Sequence, residues 1–368
     1  MIFTVKKADF LKELQFMQGV VEKRNTIPIL SYLLLKSYDP GSILIMGTDL
    51  DVSIKCKCEA QVNKAGAVAV QAKKLFEVVR SLPEAEISLR REETDWVSLT
   101  CERSSFKIVG QSVENYPAIP ELDGDTVSIP SEVFRTLIAQ TIFAITQEES
   151  RYALGGALLV LTANQIRMVS TDGHRLAFAE TGVTAVRSGE IRALIPKKTL
   201  SELQKLVSVT EEPVQFRKDE NHLFFRVGER LLVSRMLSGQ FPNYELVMPK
   251  ENNRIITFDG ELLHQAIRRV SLMADERSRA IKFNITEGRI DISSQNSEVG
   301  EALESVPVDY AGQSIVIGFN AQYLIDFFNV VGGGEVRLEL KDEQSQAQIR
   351  PVGNGEYDYR YVIMPMRL

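Results

Sequence analysis

The chain has 368 residues, of which 44% are hydrophobic and 25% are charged, and these values exclude the disordered and collagen-like classes of protein. At roughly 150 residues per domain, the length predicts two to three domains. The 43 basic and 49 acidic residues give a net charge of −6, whereas a protein that holds nucleic acid by electrostatic attraction is usually basic. No apolar run is long enough to cross a membrane, and the first residues lack the apolar core of a signal peptide, so we expect a cytoplasmic protein without a membrane contact.

Three segments of the chain share one pattern, in which a short β-type run leads into an amphipathic helix. They begin at residues 3, 127 and 256, and each carries apolar residues four positions apart on one helical face, such as Phe10 and Leu14 in the first segment. A second helical pattern also occurs three times, with Leu75, Thr199 and Tyr323 in equivalent places, each 124 residues after the one before. Three copies of this length account for nearly the whole chain, which predicts a threefold tandem array.

Each copy is also internally doubled, because a strand, a helix and several alternating strand patterns occur twice within it. Pro, Gly and Asp interrupt these β-rich runs, as turn residues do. The sequence therefore predicts the α+β class, with two helices packed on antiparallel sheets in each copy. Clusters of Pro and acidic residues at 114–125 and 241–253 mark the boundaries, which predicts domains at 1–121, 122–250 and 251–368.

The most enzyme-like motif is Asp172-Gly173-His174-Arg175. A histidine beside an aspartate could act as a general base, and a hydrolase is therefore the competing functional hypothesis. Neighbouring residues on a strand do not face one another, however, and no nucleophile motif such as Gly-x-Ser-x-Gly accompanies the pair. We predict a turn with a partly buried histidine and assign no catalytic residue.

Other motifs that could hold a cofactor or a metal ion are incomplete. The glycines at 332–334 follow a predicted helix and lack the Lys-Ser/Thr of a phosphate loop, which favours a helix C-terminal cap. The three histidines have no metal-ligand spacing. Cys56, Cys58 and Cys101 are an odd number without further ligands, which favours reduced thiols. We predict no metal and no cofactor.

Two further patterns leave alternatives open. The predicted helices are mildly basic while the strands and loops carry the surplus of acid, which fits either ordinary solvated faces or one shared basic surface. An adaptor that never touches DNA would show no such bias. The C-terminal residues 361–368 are apolar and rich in Met, which fits either a last core strand or the wall of an adaptable hydrophobic groove.

Short motifs along the whole chain resemble one protein family. They are IPIL (27–30), GTDL (47–50), RYALGG (151–156), STDGHRLA (170–177), FPNYELVMP (241–249), IGFN (317–320) and the terminal YVIMPMRL. They are similar to motifs of the bacterial DNA polymerase III beta subunit, the sliding clamp, and STDGHRLA and MPMRL are the most specific of them. The resemblance implies a non-catalytic processivity factor, a head-to-tail homodimer whose six domains close a ring around duplex DNA of any sequence. It also accounts for the charge, since helices on an inner wall would face phosphate while the exterior stays acidic.

The resemblance further implies the partners of such a ring. These would be the polymerase III alpha subunit, the clamp loader, and other polymerases and repair proteins that carry short peptides containing Gln and Leu. A tethered polymerase rebinds quickly because its effective concentration near the DNA is high.

The resemblance assigns DNA contacts to Arg24, Lys73, Tyr152, Lys197 and Lys198. The chain departs from the family at Ala153, where many relatives have a second aromatic residue, and in the acidic segment 146–150, which argues against a contact with single-stranded DNA there. The third copy's second helix has Asp326 and no basic residue, so we expect it to be the least attractive to phosphate.

The partner pocket of the family lies between the second and third domains, and the DGHR motif is then its rim. The matching residues of the second domain are Leu154, Thr171, Gly173, His174, Arg175, Leu176, Pro242 and Val247. Those of the third domain are Asn320, Tyr323, Val362, Met364, Pro365, Met366, Arg367 and Leu368.

The resemblance also places one end of the first domain against the third domain of the other chain. The apolar residues of this contact are Phe106, Ile108, Leu272 and Met273. The charged residues beside them are Lys74, Arg103 and Lys107 on one side and Glu298, Glu301 and Glu304 on the other.

Overall fold

The computed structural model describes residues 1–21, 27–93, 95–146, 148, 150–183, 189–353 and 355–367. Its helices are α1 (Lys7–Met17), α2 (Ala72–Ser81), α3 (Ser131–Thr141), α4 (Lys197–Val207), α5 (Gly260–Val270) and α6 (Ala321–Val331). They fall at the six places that the repeated pattern predicts, which confirms two helices in each copy. No helix in these ranges is long and apolar enough to cross a membrane.

The strands also repeat in three sets, and each pairing between them is antiparallel. Those of the first copy are β1 (Ile2–Lys6), β2 (Tyr32–Asp39), β3 (Ser42–Thr48), β4 (Val52–Glu59), β5 (Gln61–Lys64), β6 (Ala67–Gln71), β7 (Glu86–Arg91), β8 (Val97–Cys101), β9 (Ser104–Ile108) and β10 (Gly110–Gln111). Those of the second copy are β11 (Val127–Ile129), β12 (Gly156–Leu161), β13 (Gln165–Thr171), β14 (Arg175–Gly182), β15 (Ile191–Pro196), β16 (Val214–Lys218), β17 (His222–Val227) and β18 (Arg230–Arg235). Those of the third copy are β19 (Arg254–Asp259), β20 (Ala280–Thr286), β21 (Arg289–Asn296), β22 (Gly300–Pro307), β23 (Ile315–Asn320), β24 (Glu335–Leu340), β25 (Ala347–Pro351) and β26 (Tyr357–Ile363).

Residues 1–135 and 198–236 form one compact unit. It contains a five-stranded sheet in the order β5-β1-β7-β8-β9 and a nine-stranded sheet in the order β10-β6-β2-β3-β4-β18-β17-β16-β11. Within the larger sheet, β4 of the first copy pairs with β18 of the second copy, from Cys56 opposite Arg230 to Val52 opposite Ser234. A continuous backbone ladder therefore joins these two copies of the repeat.

Residues 136–197 and 237–368 form the other unit. It contains an eight-stranded sheet in the order β15-β12-β13-β14-β26-β25-β24-β19 and a four-stranded sheet in the order β22-β21-β20-β23. Here β14 of the second copy pairs with β26 of the third copy, from Arg175 opposite Ile363 to Thr181 opposite Tyr357. Because strands of the second copy enter sheets of both units, the three domain boundaries stay a prediction.

Helix caps explain where the two helices of the third copy begin and end. Asp259 and Asn320 are the N-caps of α5 and α6, and their side-chain oxygens accept hydrogen bonds from backbone amides of the first helical turn at 3.0 and 2.9 Å. Gly332 ends α6 with a φ of 71°, and its N–H donates to the carbonyl of Phe328 at 2.9 Å. The glycine run is thus a helix cap, as the sequence predicts.

A buried ion pair braces the junction between β4 and β18. The Arg230 guanidinium donates to both carboxylate oxygens of Glu13, at 2.8 Å from Nε and 2.5 Å from Nη2. It also lies 4.6 Å from the centre of the Phe16 ring. The exposed fractions of the two charged side chains are 9% for Glu13 and 13% for Arg230. Helix α1 of the first copy is therefore tied to the first residue of a strand of the second copy.

The three cysteines are buried and form no disulfide with one another. Burial, followed by the negative charge of Glu13, raises the pKa of Cys58 to about 12. The same causes raise the pKa of Cys56 well above its ordinary value. The structure therefore holds these cysteines as protonated thiols, in agreement with the sequence-based expectation.

We predict that these thiols resist modification in the folded protein. A thiol with a pKa of about 12 is ionised in about one molecule in ten thousand at pH 8, and the thiolate is the reactive form. Treatment with dithionitrobenzoate at pH 8 should release little thionitrobenzoate from native protein and three equivalents from protein in denaturant, followed by absorbance. Rapid reaction of Cys56 or Cys58 in the native protein would contradict this assignment.

Candidate functional site

An apolar cluster lies against strands of the eight-stranded sheet. Its buried members are Leu158, Val160, Val169, Leu176, Phe178, Leu194, Phe241, Tyr244 and Val362. The partly buried residues packed against them are Ala153, Leu154, Leu237, Val247 and Met248. The cluster brings together four residues that the resemblance assigns to the pocket, namely Leu154, Leu176, Val247 and Val362. Leu176 and Val362 are direct register partners where β14 meets β26.

Aromatic residues that the sequence analysis did not select support one side of this cluster. Tyr244 is 4% exposed, packs against the Phe178 ring at 6.2 Å between centroids, and receives a hydrogen bond from Arg167 at 2.8 Å. It belongs to the short 3-10 helix Tyr244–Leu246, which directly precedes Val247. The segment FPNYELVMP was recognisable in the sequence, but nothing in it indicated that its tyrosine would be buried and hold the segment against the sheet.

Several residues close in sequence to members of the cluster have exposed apolar side chains. Leu246 is 78% exposed and Met364 is 40% exposed, and Pro242 is exposed as well. Their neighbours Tyr244 and Ile363 are buried. Each of these two segments therefore has a buried anchor beside an apolar residue that solvent reaches.

The DGHR motif is the predicted turn, held by its own aspartate, but His174 is exposed and not partly buried. Asp172 Oδ1 accepts hydrogen bonds from the backbone N–H groups of His174 at 2.9 Å and Arg175 at 3.1 Å, and Gly173 has a φ of 91°. Thr171 Oγ1 accepts from the Gly173 amide at 3.0 Å. The second carboxylate oxygen of Asp172 receives Nε of Arg175 at 3.0 Å. The aspartate thus orients an arginine and the turn, not the imidazole, which is the opposite of what a hydrolase pair requires.

Arg175 is the most heavily bonded side chain of the turn. Besides Asp172, its guanidinium donates to Asp326 Oδ2 at 2.6 Å, to the carbonyl oxygen of Phe143 at 2.8 Å and to the Tyr361 hydroxyl at 3.4 Å. Its side chain is only 9% exposed. The sequence analysis listed Arg175 with the pocket wall, whereas the structure turns its charged end into the protein.

Arg175 also interacts with two other candidate residues, Tyr323 and Lys197. Its guanidinium lies 4.4 Å from the centre of the Tyr323 ring. Burial disfavours the charged form, but Tyr361, Asp326 and Asp172 outweigh this effect and hold the pKa of Arg175 above its ordinary value. Burial, and then the positive charge of Arg175, lower the pKa of Lys197.

The C-terminal residues confirm the core strand, whereas the groove wall stays a prediction. Residues 361–363 complete β26 and are buried, which is the core strand. Beyond the strand, the Met364 amide donates to the His174 carbonyl at 2.9 Å, and the Met366 amide donates to the Gly318 carbonyl of β23 at 2.8 Å. Pro365 and Met366 are partly exposed and Arg367 is exposed. Leu368 lies outside the described residues.

The candidate DNA contacts differ in how much of their charge is available. The Lys73 side chain is 68% exposed, and its ammonium lies 3.8 Å from the Glu77 carboxylate. Lys198 forms an ion pair with the buried carboxylate of Asp49. Tyr152 is 73% exposed. Arg24 lies outside the described residues. The acid of α6 is also partly neutralised, because Asp326 pairs with Arg175.

The candidate dimer residues lie on two sheet edges and beside them. Strand β9, which carries Phe106 and Ile108, is an edge of the five-stranded sheet, and β22 is an edge of the four-stranded sheet. Phe106 is 37% exposed and Leu272 is 74% exposed. The ammonium of Lys107 lies 5.3 Å from the Trp96 ring, and Lys74 forms an ion pair with Glu77 at 2.8 Å. Arg103, Glu298 and Glu301 are exposed, and Met273 is partly buried.

One of the expected charge contacts is already satisfied within the chain. Both carboxylate oxygens of Glu304 accept hydrogen bonds from the Arg269 guanidinium, one of them at 2.9 Å. This pair ties β22 to helix α5. Glu304 is therefore a poorer partner for a basic residue of another chain than the sequence analysis expected.

Three family models match consecutive parts of this chain. They describe the DNA polymerase III beta subunit: its N-terminal domain matches residues 1–120, its central domain residues 128–243 and its C-terminal domain residues 245–367. The chain belongs to the DNA polymerase III beta subunit family. The motif resemblance is thereby confirmed.

Individual relatives agree with the family models. The chain is 34% identical over 371 residues to the beta sliding clamp of Pseudomonas putida, and the match covers 100% of both chains. It is 36% identical over 378 residues to the beta sliding clamp of Caulobacter vibrioides, again over 100% of both chains. The solved DNA polymerase III subunit beta from Pseudomonas aeruginosa is 33% identical and superimposes with a TM-score of 0.94 over 100% of both chains. The repeated α+β clamp fold and the sliding-clamp function expected from the motifs are confirmed, while the individual site residues stay predictions.

Proposed function

We propose that two copies of this chain close head-to-tail into a ring around duplex DNA, and that the ring tethers DNA polymerases through the apolar cluster of the eight-stranded sheet. Topological closure retains the DNA, so strong phosphate contacts and base readout are unnecessary. A polymerase held by such a ring rebinds the primer end instead of diffusing away, because its effective concentration stays high.

The observation that carries this proposal is the order of the strands. Strand β4 is the third strand after the first helix of the first copy, and it pairs with β18, the third strand after the second helix of the second copy. Strands β14 and β26 have the same positions one copy further along the chain, and they pair in the same way. Two strands in these positions remain, namely β22 after the first helix of the third copy and β9 after the second helix of the first copy. Each is a sheet edge without a neighbour on one side in the described part of the chain. A second copy of the chain supplies the missing neighbour of each strand, which makes two equivalent junctions and closes the ring.

Side chains beside the two edges support this pairing. A surface cavity of about 500 Å³ next to β9 is lined by Tyr32, Gln71, Lys74, Val78 and residues 106–109. We propose that the exposed apolar side chain of Leu272, beside β22, enters this cavity from the second copy. Arg103 and Lys107 near β9 complement Glu298 and Glu301 near β22, while Glu304 stays with Arg269.

The cluster of the eight-stranded sheet fits short apolar peptides. Leu176 and Val362 are buried members of it, and the partly buried Leu154 and Val247 pack against them. Met364, which is 40% exposed, follows Val362 by two residues. Methionine adapts to different side chains, which suits a site for several partners. We propose that the polymerase III alpha subunit, the clamp loader and repair polymerases use it through peptides with Gln and Leu, and that Lys73, Lys197, Lys198 and Tyr152 contact DNA weakly.

The first prediction concerns closure. Protein loaded onto a nicked circular DNA by its clamp loader should remain bound in high salt and leave when a nuclease linearises the circle, as followed by gel filtration of labelled protein. A binder that depends on phosphate contacts would instead lose affinity steeply with salt on both forms of DNA. Salt-sensitive loss from the intact circle would contradict the proposal.

The second prediction concerns the dimer. Removal of apolar anchors from the centre of an interface costs about 2 kcal/mol or more for each anchor. We therefore expect the variant with Leu272→Ala and Met273→Ala to sediment as a soluble monomer that still binds partner peptides. Leu246→Ala is the matched control, since Leu246 is 78% exposed and Leu272 is 74% exposed, but Leu246 lies outside the proposed interface. An intact dimer of the double variant at low micromolar concentration would refute the assignment.

The third prediction concerns the chain end. Deletion of residues 364–368 removes the amides of Met364 and Met366, whose two backbone hydrogen bonds contribute about 1 kcal/mol each, but leaves the buried strand β26 in place. We expect peptide binding to be lost, measured by fluorescence anisotropy, while the dimer mass is kept and the melting temperature falls only slightly. Retained peptide affinity would mean that the peptide site lies elsewhere, and extensive unfolding would mean that the chain end serves the core instead.

A further inference from the structure

The two strand junctions inside the chain are braced in the same way, by a buried arginine. Arg230 is the first residue of β18 and Arg175 is the first residue of β14. Each arginine pairs with a carboxylate from a helix of the neighbouring copy, Glu13 of α1 or Asp326 of α6. Each guanidinium also lies over an aromatic ring, at 4.6 Å from Phe16 for Arg230 and 4.4 Å from Tyr323 for Arg175.

Arg175 differs from Arg230 in what else it holds. In the described part of the chain, the side chain of Arg230 donates two hydrogen bonds, both of them to Glu13. Arg175 reaches Asp172 in the DGHR turn at 3.0 Å, Asp326 in α6 at 2.6 Å and Tyr361 in β26 at 3.4 Å. These are three separate segments, and each of them carries residues assigned to the peptide pocket.

The segments that Arg175 contacts are connected through their backbone to residues assigned to the pocket. The turn fixed by Asp172 presents the carbonyl of His174, which accepts the Met364 amide at 2.9 Å. Tyr361, whose hydroxyl also donates to the Tyr323 carbonyl at 3.0 Å, is one residue before Val362. A shift of the DGHR turn relative to α6 would therefore move Met364 relative to Val362 and Leu176.

We propose that Arg175 is a positioning residue for the peptide pocket: its buried guanidinium fixes the DGHR turn against α6 and β26 and thereby sets the place of Met364 in the pocket wall. This inference rests on the proposed use of the pocket for partner peptides. The charged end of Arg175 acts through the protein, since four of its five N–H groups donate to Asp172, Asp326, Phe143 and Tyr361. Asp326 acts together with it and is not a repulsive group of a DNA-facing helix.

The test compares Asp326→Asn with Glu13→Gln in the full-length dimer. Both variants keep the side-chain shape and remove the charge that pairs with a buried arginine, so both should lower the melting temperature. A fluorescein-labelled peptide that contains Gln and Leu serves as the probe in fluorescence anisotropy. We expect Asp326→Asn to weaken its binding about tenfold, because residues that act through others change binding by such amounts without touching the ligand. Glu13→Gln should leave the affinity within about twofold of the original value.

A second measurement separates positioning from general loss of stability. In protein labelled at the methionine methyl carbons, the Met364 signal, assigned with Met364→Leu, should shift in peptide-free Asp326→Asn and stay in place in Glu13→Gln. Asp326→Glu, which restores the carboxylate, should bring the signal and the affinity back toward the original values. If Asp326→Asn does not fold, Arg175→Lys replaces it, because lysine keeps the charge but lacks the planar fork that reaches several acceptors.

The outcomes distinguish this inference from the proposed function on which it rests. Unchanged peptide affinity and an unmoved Met364 signal in a folded Asp326→Asn protein would overturn the positioning role. An equal loss of peptide affinity in Glu13→Gln would overturn it as well, because the loss of affinity would then result from lower stability of the fold and not from the position of Met364. Failure of the original protein to bind the peptide, with a shifted Met364 signal in Asp326→Asn, would overturn the peptide pocket and leave the positioning of Met364 standing.

Discussion

A strand at the edge of a sheet leaves backbone N–H and C=O groups without protein partners, and this constraint organises the repeats of the present chain. The copies are not separate modules joined by linkers, because β4 pairs with β18 and β14 pairs with β26 across the copies. The apolar cluster depends on the second of these junctions. Leu176 and Val362 point the same way only because they are register partners, and a slip by one residue would turn one set of side chains to the opposite face.

The periodic features of the fold could be predicted from the sequence. Apolar residues four apart, such as Phe10 and Leu14, indicated the helices, and both are fully buried. Gly332 indicated the end of α6 because only a residue that tolerates positive φ suits that cap. The spacing of 124 residues indicated the repeat. The helix and cap signals are local, because each depends on residues within a few positions of one another, and the repeat is the recurrence of such local patterns.

Contacts between distant residues could not be read in the same way. Arg175 and Asp326 are separated by about 150 positions, and nothing in either local sequence shows that their charges meet. The sequence placed Arg175 on a pocket rim and Asp326 on a helix unattractive to phosphate, yet their pairing gives each a different role. Tyr244 is a similar case, because its hydroxyl reaches Arg167 on another strand. The resemblance indicated the region of the site, whereas the contacts of Arg175 and Tyr244 that hold this region in place are seen only in the structure.

Ion pairing within the chain also bears on the proposed weak contacts between the lysines and DNA. Lys198 is paired with Asp49, which is itself nearly inaccessible, and Lys73 lies close to Glu77. A lysine that approaches a phosphate must first weaken its contact with such a carboxylate, so the net gain from each phosphate contact is smaller than for a solvated lysine. If these lysines contact DNA as proposed, several weak contacts of this kind would exchange rapidly along the backbone. A strongly basic lining would release more counterions and bind more tightly, and each step of sliding would then cross a higher barrier. In the proposed ring, closure of the sheet edges by a second copy would make tight binding unnecessary, and the paired lysines are consistent with retention of DNA by the shape of that ring.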